Sequence, residues 1–404
     1  MALLLAKGDD FSTWRGVEEF SATYRDAAVL LASQRNPAAI ASTLAELEEL
    51  LEAAEASNRR AGVELEQILL DLASAADLPA LRLLQARWNE ASYCHFRHFS
   101  SPSAFFNLSF RFFSVFATRC LQLAADQLAE PLPPVALFVF GPAGRHEPTR
   151  YCRVQLGLVW DGDQRYETLM DSLGQELTAW FRVCGFILEE NVTPLQSEWR
   201  GNLDTWRRRF EQAAQREERS MLIELLRLAD RAPLFSTGGA AETFGSLCSG
   251  YLARRSFVGN LVERCTALSN GITMMGHLKL EKSGPHRNSF ALLDHGLLPL
   301  AAAVTAICLM RGISVEGTPE RLRQLVRIGK LDVVLAERAL HAWHFFSRQR
   351  LTLELEAETG LDCRDIMFLD PALLPPAELE QLHSALATVG DLQRYMQVCY
   401  GSYT

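Results

Sequence analysis

Residues 135–160 read VALFVFGPAGRHEPTRYCRVQLGLVW. The first six are wholly apolar, as in a strand buried on both faces. GPAGR then turns the chain, with Gly141 and Gly144 permitting close backbone approach and dihedral angles that other residues avoid. From Cys152 to Trp160 the sequence alternates. Val154, Leu156, Leu158 and Trp160 fall on one face of a strand, and Arg153, Gln155, Gly157 and Val159 on the other. The stretch predicts a strand, a glycine-rich turn and a second strand. Turns of this kind can cradle phosphates on free N–H groups, although a purely structural turn needs the same glycines.

Working outward, Pro131, Pro133 and Pro134 break the chain before the first strand. Upstream of them the sequence reads as helix, with segments at 36–56, 62–75, 78–95 and 102–130. The last carries Phe105, Phe106, Phe110, Phe112, Phe113 and Phe116 on more than one face, which favours burial in the core over an aromatic ligand pocket. Downstream, WDGDQ at 160–164 is a turn. Residues 164–184 read as a helix ending near Gly185, and 186–190 as a third short strand. Helices resume from Asn202. Gly245, Gly250 and Gly259 predict kinks or breaks, 281–289 is a loop, and 290–312 is an apolar core helix ending at Gly312. Thr318-Pro319-Glu320 starts a further helix with Thr318 as its N-cap. The expected fold class is α+β and predominantly helical. A small mixed-sheet core at 131–201 is flanked by N-terminal helices at 1–130 and a C-terminal helical domain at 202–404.

Composition limits the function classes. The chain has 404 residues, 48% hydrophobic and 22% charged, the balance of a globular protein. Its net charge of −9 argues against a nucleic-acid partner. Nine scattered cysteines without a CxxC pair predict reduced, buried thiols in a cytoplasmic protein. The N-terminal apolar run lacks the length of a secretory h-region. The apolar stretch at 296–310 is short for a bilayer, so no membrane partner is expected. His95 with His98, and His341 with His344, share helical faces at i, i+3, but neither pair has a patterned third ligand. No nucleophile elbow, P-loop or dinucleotide fingerprint is present.

The central motif resembles that of bacterial nucleotidyltransferases related to the PII-uridylyltransferase, often found behind CBS or cyclic-nucleotide-binding domains. Their G-S-x-G-R-x-E-x-T motif is matched by Gly141, Gly144, Arg145, Glu147 and Thr149. Their G-F…W-R-x-S-L pattern is similar to Gly185-Phe186…Trp199-Arg200-Gly201-Asn202-Leu203, and D-x-R-P to Asp230-Arg231-Ala232-Pro233. Leu298-Pro299-Leu300, Gly312-Ile313 and Thr318…Arg321-Leu322 resemble the family's C-terminal substrate-binding helical domain. The resemblance spans roughly residues 100–400.

Active members carry two aspartates at i, i+2 on the second strand, which hold metal ions. This chain has Arg153 and Gln155 there, and Pro142 where the motif has serine. A guanidinium offers a metal no lone pair, and an amide is a weak substitute for a carboxylate. Asp161 lies at the far end of the strand, eight residues or about 26 Å from Arg153 at roughly 3.3 Å per residue, and Asp163 lies beyond it. The resemblance therefore implies a degenerate, regulatory nucleotidyltransferase-like protein, a pseudoenzyme in signal transduction. It would bind a nucleoside triphosphate through Gly141, Pro142, Ala143, Gly144, Arg145, Arg153 and Gln155, or a signalling protein partner. One alternative is an active protein nucleotidyltransferase using Mg²⁺ and displaced carboxylates, with Glu147 and Glu190 as candidates and Glu189 near them. The other is a helical interaction scaffold without a ligand.

Overall fold

The computed structural model describes residues 62–99, 101–128, 130–216, 222–357 and 363–403. The segment read as helix at 36–56 lies outside them. The chain opens with α1 (62–73), α2 (Leu78–Phe99) and α3 (Pro102–Ala125). Pro102 sits in the first turn of α3 and the Ser101 hydroxyl accepts from Ala104 N–H, which fixes where that helix starts.

Two strands then flank the glycine turn: β1 (Val135–Phe140) and β2 (Gln155–Trp160). They pair antiparallel from Val135 opposite Trp160 to Phe140 opposite Gln155. Helix α4 (Glu167–Val183) ends before Gly185, whose φ of +91° only glycine adopts without strain. β3 (Arg200–Asn202) runs parallel to β2. α5 (Leu203–Arg216) and α6 (Leu222–Ala229) lead to β4 (Arg231–Ser236), which pairs antiparallel with the other side of β1. The mixed sheet is ordered β3-β2-β1-β4.

The fourth strand comes from a stretch that reads as helix. Pro233 conceals it, because proline donates nothing to a ladder. The structure tolerates Pro233 because β4 is an edge strand and its register with β1 shifts at Leu137/Phe138. The expected strand at 186–190 reduces to a single parallel bridge between Val154 and Leu188. Val192 N–H then bonds back to the Glu189 carbonyl, a local turn that interrupts the ladder before the Val192 carbonyl accepts from Leu156 N–H of β2.

The alternation in β2 divides two cores. Leu156, Leu158 and Trp160 pack with Leu137 and Val139 against α3 and α4. Val159 joins Ala136, Phe138 and Phe140 against α5 and α7 (Ala240–Leu252). A third core fills the C-terminal bundle of α8 (Arg255–Ala267), α9 (Leu298–Met310), α10 (Thr318–Arg327), α11 (Val333–Glu356) and α12 (Pro376–Tyr403). The break predicted by the glycines falls at 253–254, while Gly245, Gly250 and Gly259 themselves lie inside helices. A short pair, β5 (Phe290–Ala291) with β6 (Phe368–Leu369), closes one end of the bundle.

Helix α3 serves two of these cores. Phe105 and Phe106 enter the C-terminal bundle, whereas Phe112, Phe113 and Phe116 enter the sheet core. Burial of one such ring is worth about 1.5–3 kcal/mol, so α3 ties the two parts firmly together. Leu293–Met310 is long and apolar enough to cross a membrane by length and composition, and 78% of it is buried inside the protein. Of the cysteines whose burial is described, Cys94 is exposed and Cys120, Cys152, Cys184, Cys248, Cys265, Cys308 and Cys399 are buried. Burial pushes the Cys308 thiol up to about 12.

Candidate functional site: the glycine turn and its two surroundings

Gly141–Gly144 form one helical turn directly after β1. Gly141 has φ +65°, and a Cβ there would stand 3.1 Å from the Gln155 amide. Gly144 is tighter still: a Cβ would lie 2.0 Å from the Asp230 carbonyl oxygen. Pro142 occupies the first turn, where a missing N–H costs nothing, and its carbonyl accepts from Arg145 N–H and Glu147 N–H at 3.1 and 2.9 Å. Ala143 is buried in the sheet core. His146 follows in the left-handed region (φ +65°), stacks on Phe110 at 3.6 Å and places Nε2 3.0 Å from Glu316.

On one side of this turn lies a buried ionic clasp. Arg145 donates to Asp230 Oδ2 at 2.6 Å and to Glu147 Oε2 at 3.2 and 3.3 Å. The other Asp230 oxygen accepts from Arg321 and, at 3.2 Å, from Thr305. Arg321 also donates to the carbonyls of Val315 and Ala229. The remaining Glu147 oxygen accepts from Thr318 Oγ1 at 3.0 Å and Trp343 Nε1 at 2.9 Å. Thr149 and Arg350 both donate to Glu354 Oε1, at 2.9 and 3.0 Å, and the Tyr93 hydroxyl takes the second oxygen. The expected N-cap role of Thr318 is thus corrected: Gly317 is the N-cap of α10, and the Thr318 hydroxyl is spent on Glu147.

Burial would raise Asp230, but Arg321 and Arg145 outweigh it and hold the carboxyl below the usual range. Burial would likewise lower Arg145, yet Glu147 and Asp230 hold it above its ordinary value. Every charge in the clasp has an opposite partner and nearly every lone pair a donor, the condition under which buried ions are tolerated.

The other side of the turn is more open. Gln155 is the first residue of β2, half-buried, and its Oε1 accepts from Arg227 Nε at 3.0 Å. Arg227 lies within 6.0 Å of the Trp199 ring and 3.9 Å from Glu224. Burial lowers Arg227, and Glu224 and Glu189 offset only part of that. Glu189 arrives by donating its N–H to the Val154 carbonyl at 2.9 Å. Arg153 is half-buried and precedes the strand by two positions.

The structure therefore brings Gly141 and Gln155 together and draws Arg145 away from them into the clasp. Glu147 is 4% exposed, within the clasp, while Glu190 is exposed and pairs with Arg182 at 2.5 Å. Among the described residues no group of three or more His, Cys, Asp or Glu could hold a metal ion. An amide engaged by a guanidinium does not fit the divalent ion that the resemblance implies. Arg227 gives no sequence signal, being one cation within an amphipathic helix. Trp343 and Glu354 are equally silent, whereas Asp230 and Arg321 sit in motifs already noted.

Two other motif positions are structural. Arg200 is buried and bonds Asp171 at 2.6 Å and the Pro194 carbonyl at 2.7 Å. Asn202 accepts from Thr205 N–H at 2.8 Å at the start of α5, a capping task that serine and asparagine share.

This fold places a glycine turn between β1 and β2 in a small mixed sheet, with a helical bundle clasped against it. A family model described as "Putative nucleotidyltransferase DUF294" matches residues 87–220, and one described as "Putative nucleotidyltransferase substrate binding domain" matches residues 255–400. Together they take in more than half of the chain, which is a member of this family. No curated protein matches it. The clasp joins the two matched parts: Arg145, Glu147 and Thr149 lie in the first, and Arg321, Trp343 and Glu354 in the second.

Proposed function

We propose that the chain is a regulatory member of its family that binds a nucleoside triphosphate at the open side of the Gly141 turn without metal-dependent transfer. The observation that carries this is the Gln155 amide beneath Gly141, held by the Arg227 guanidinium at 3.0 Å. A carboxylate pair here would gather cations. Gln155 and Arg227 instead place an amide and a guanidinium beside the turn, and guanidinium groups pair with phosphate directly. Glu147 and Glu190, the displaced carboxylates of an active alternative, are each engaged by arginine. A bound nucleotide would be reported to a partner protein through the adjoining clasp, in the manner of a signalling component.

Calorimetric titration of ATP, UTP and GTP, with and without Mg²⁺, tests the reading. The expected result is saturable binding that does not need Mg²⁺. Transfer of an α-phosphate label to protein in a lysate would overturn it in favour of an active transferase. Absence of both binding and any nucleotide-dependent thermal shift would leave a helical scaffold.

A further inference from the structure

Helices α11 and α12 pack along their lengths, and between them lies a groove of about 340 Å³, within the size range of small-molecule sites. Arg338, His341, His344 and Arg348 line it from α11, and Gln381 and Ser384 from α12. Positions 338, 341, 345 and 348 fall on one stripe of a 3.6-residue helix, so both arginines face the same groove. Its floor is apolar, made by the buried Phe345, Ala342 and Ala385. No acidic residue lines it.

The carboxylates nearest these arginines lie beyond the lining. Asp391 takes Arg338 at 2.7 Å and also pairs with Arg394, and Glu378 takes Arg348 at 3.5 Å. Each lining arginine is thus held in place by a carboxylate that stands outside the groove lining, and Arg338 shares its partner with Arg394. Gln381 Oε1 accepts from Arg348 at 3.4 Å, steadying that side chain from the groove side. An arginine held in advance loses less side-chain entropy when it binds an anion.

From this arrangement we infer that the α11–α12 groove is a second anion site, taking a small phosphate-bearing molecule whose apolar portion lies on Phe345. It is separate from the Gly141 turn and stands independently of the nucleotide reading above. The groove is lined by α11, α12 and Pro102 at the start of α3, and by no residue of the turn.

Pyrophosphate is the probe. Titrated calorimetrically into the full chain, it should bind saturably. The double variant Arg338→Gln/Arg348→Gln should weaken it at least tenfold, and Arg348→Lys should restore part of the loss. Gln155→Glu, at the turn, removes only the share of pyrophosphate that the turn holds, and the groove's saturable site should persist in that background. Should the double variant fail to melt cooperatively, Ser384→Asp puts a carboxylate on the exposed wall of the groove without touching the core and should weaken binding similarly. No saturable binding to the wild type would overturn the inference. So would binding that survives the groove variants but is lost in Gln155→Glu, which would assign the anion to the turn.

Discussion

Arg145 and Gln155 flank one glycine turn, ten residues apart, in opposite settings. Arg145 is enclosed, bonded to two carboxylates and held above its ordinary pKa by them. Gln155 is half-buried, bonded to a cation that burial pushes the other way. A linear motif makes Gly141, Arg145, Glu147 and Thr149 look like one phosphate-binding device. In three dimensions the glycines shape the turn, while the arginine, glutamate and threonine fasten the sheet domain to the C-terminal bundle. Motif membership therefore does not assign a residue to ligand or to scaffold; its partners do.

The comparison breaks most visibly at the centre of the clasp. Asp230→Ala strands Arg321 without its carboxylate and leaves Arg145 with Glu147 alone, and loss of one partner from a buried ion network costs about 3–5 kcal/mol. Urea denaturation at neutral pH should show a loss of that size. Because the folded-state pKa of Asp230 is depressed, its contribution is complete above its unfolded value of about 4 and falls away as pH drops below that. The gap between wild type and variant should therefore narrow in acid. A loss below about 1 kcal/mol, the range of a surface pair, would show that the clasp does not hold the domains.

Gly144→Ala probes the same side by contact rather than charge. Its Cβ would fall 2.0 Å from the backbone oxygen of Asp230, which no rotamer change relieves. A loss of about 1–3 kcal/mol is expected from such overpacking, read from the shift in thermal midpoint. Gly185→Ala is the control: its φ is +91° but nothing lies within 4 Å, so only the backbone cost of about 1–2 kcal/mol applies.

How much of this was readable in advance follows from the physics of each feature. The strand pair and its two faces were legible because alternation has period two and the faces meet two different cores. The aromatic helix was legible as core because rings on several faces favour burial over a one-sided ligand pocket. Strand β4 was not, since Pro233 argues against a ladder and only an edge position with a shifted register permits it. The Arg145–Asp230 pair is separated by 85 residues and the Glu147–Trp343 pair by 196, so no local pattern could join them. The resemblance named Arg145, Glu147, Asp230 and Arg321 as motif members, but it could not say that they bind one another.

The smallest effects separate the two sides most cleanly, through a pair of isosteric exchanges. Glu147→Gln removes one charge from the clasp and replaces an acceptor oxygen with an amide group among donors, costing about 1–3 kcal/mol. It should leave nucleotide affinity unaltered, because Glu147 is turned toward Thr318 and Trp343. Gln155→Glu does the reverse. It gives Arg227 an ionic partner in place of an amide at a half-exposed position, where such a pair is worth less than about 1 kcal/mol, so stability should hold or rise slightly. It also cancels positive charge beside the turn, and metal-free nucleotide binding should weaken by roughly tenfold, about 1.4 kcal/mol. Measuring melting and nucleotide titration on both variants decides the matter. If Glu147→Gln weakens binding as much as Gln155→Glu, the clasp and the open face are one site, and the division drawn at the turn fails.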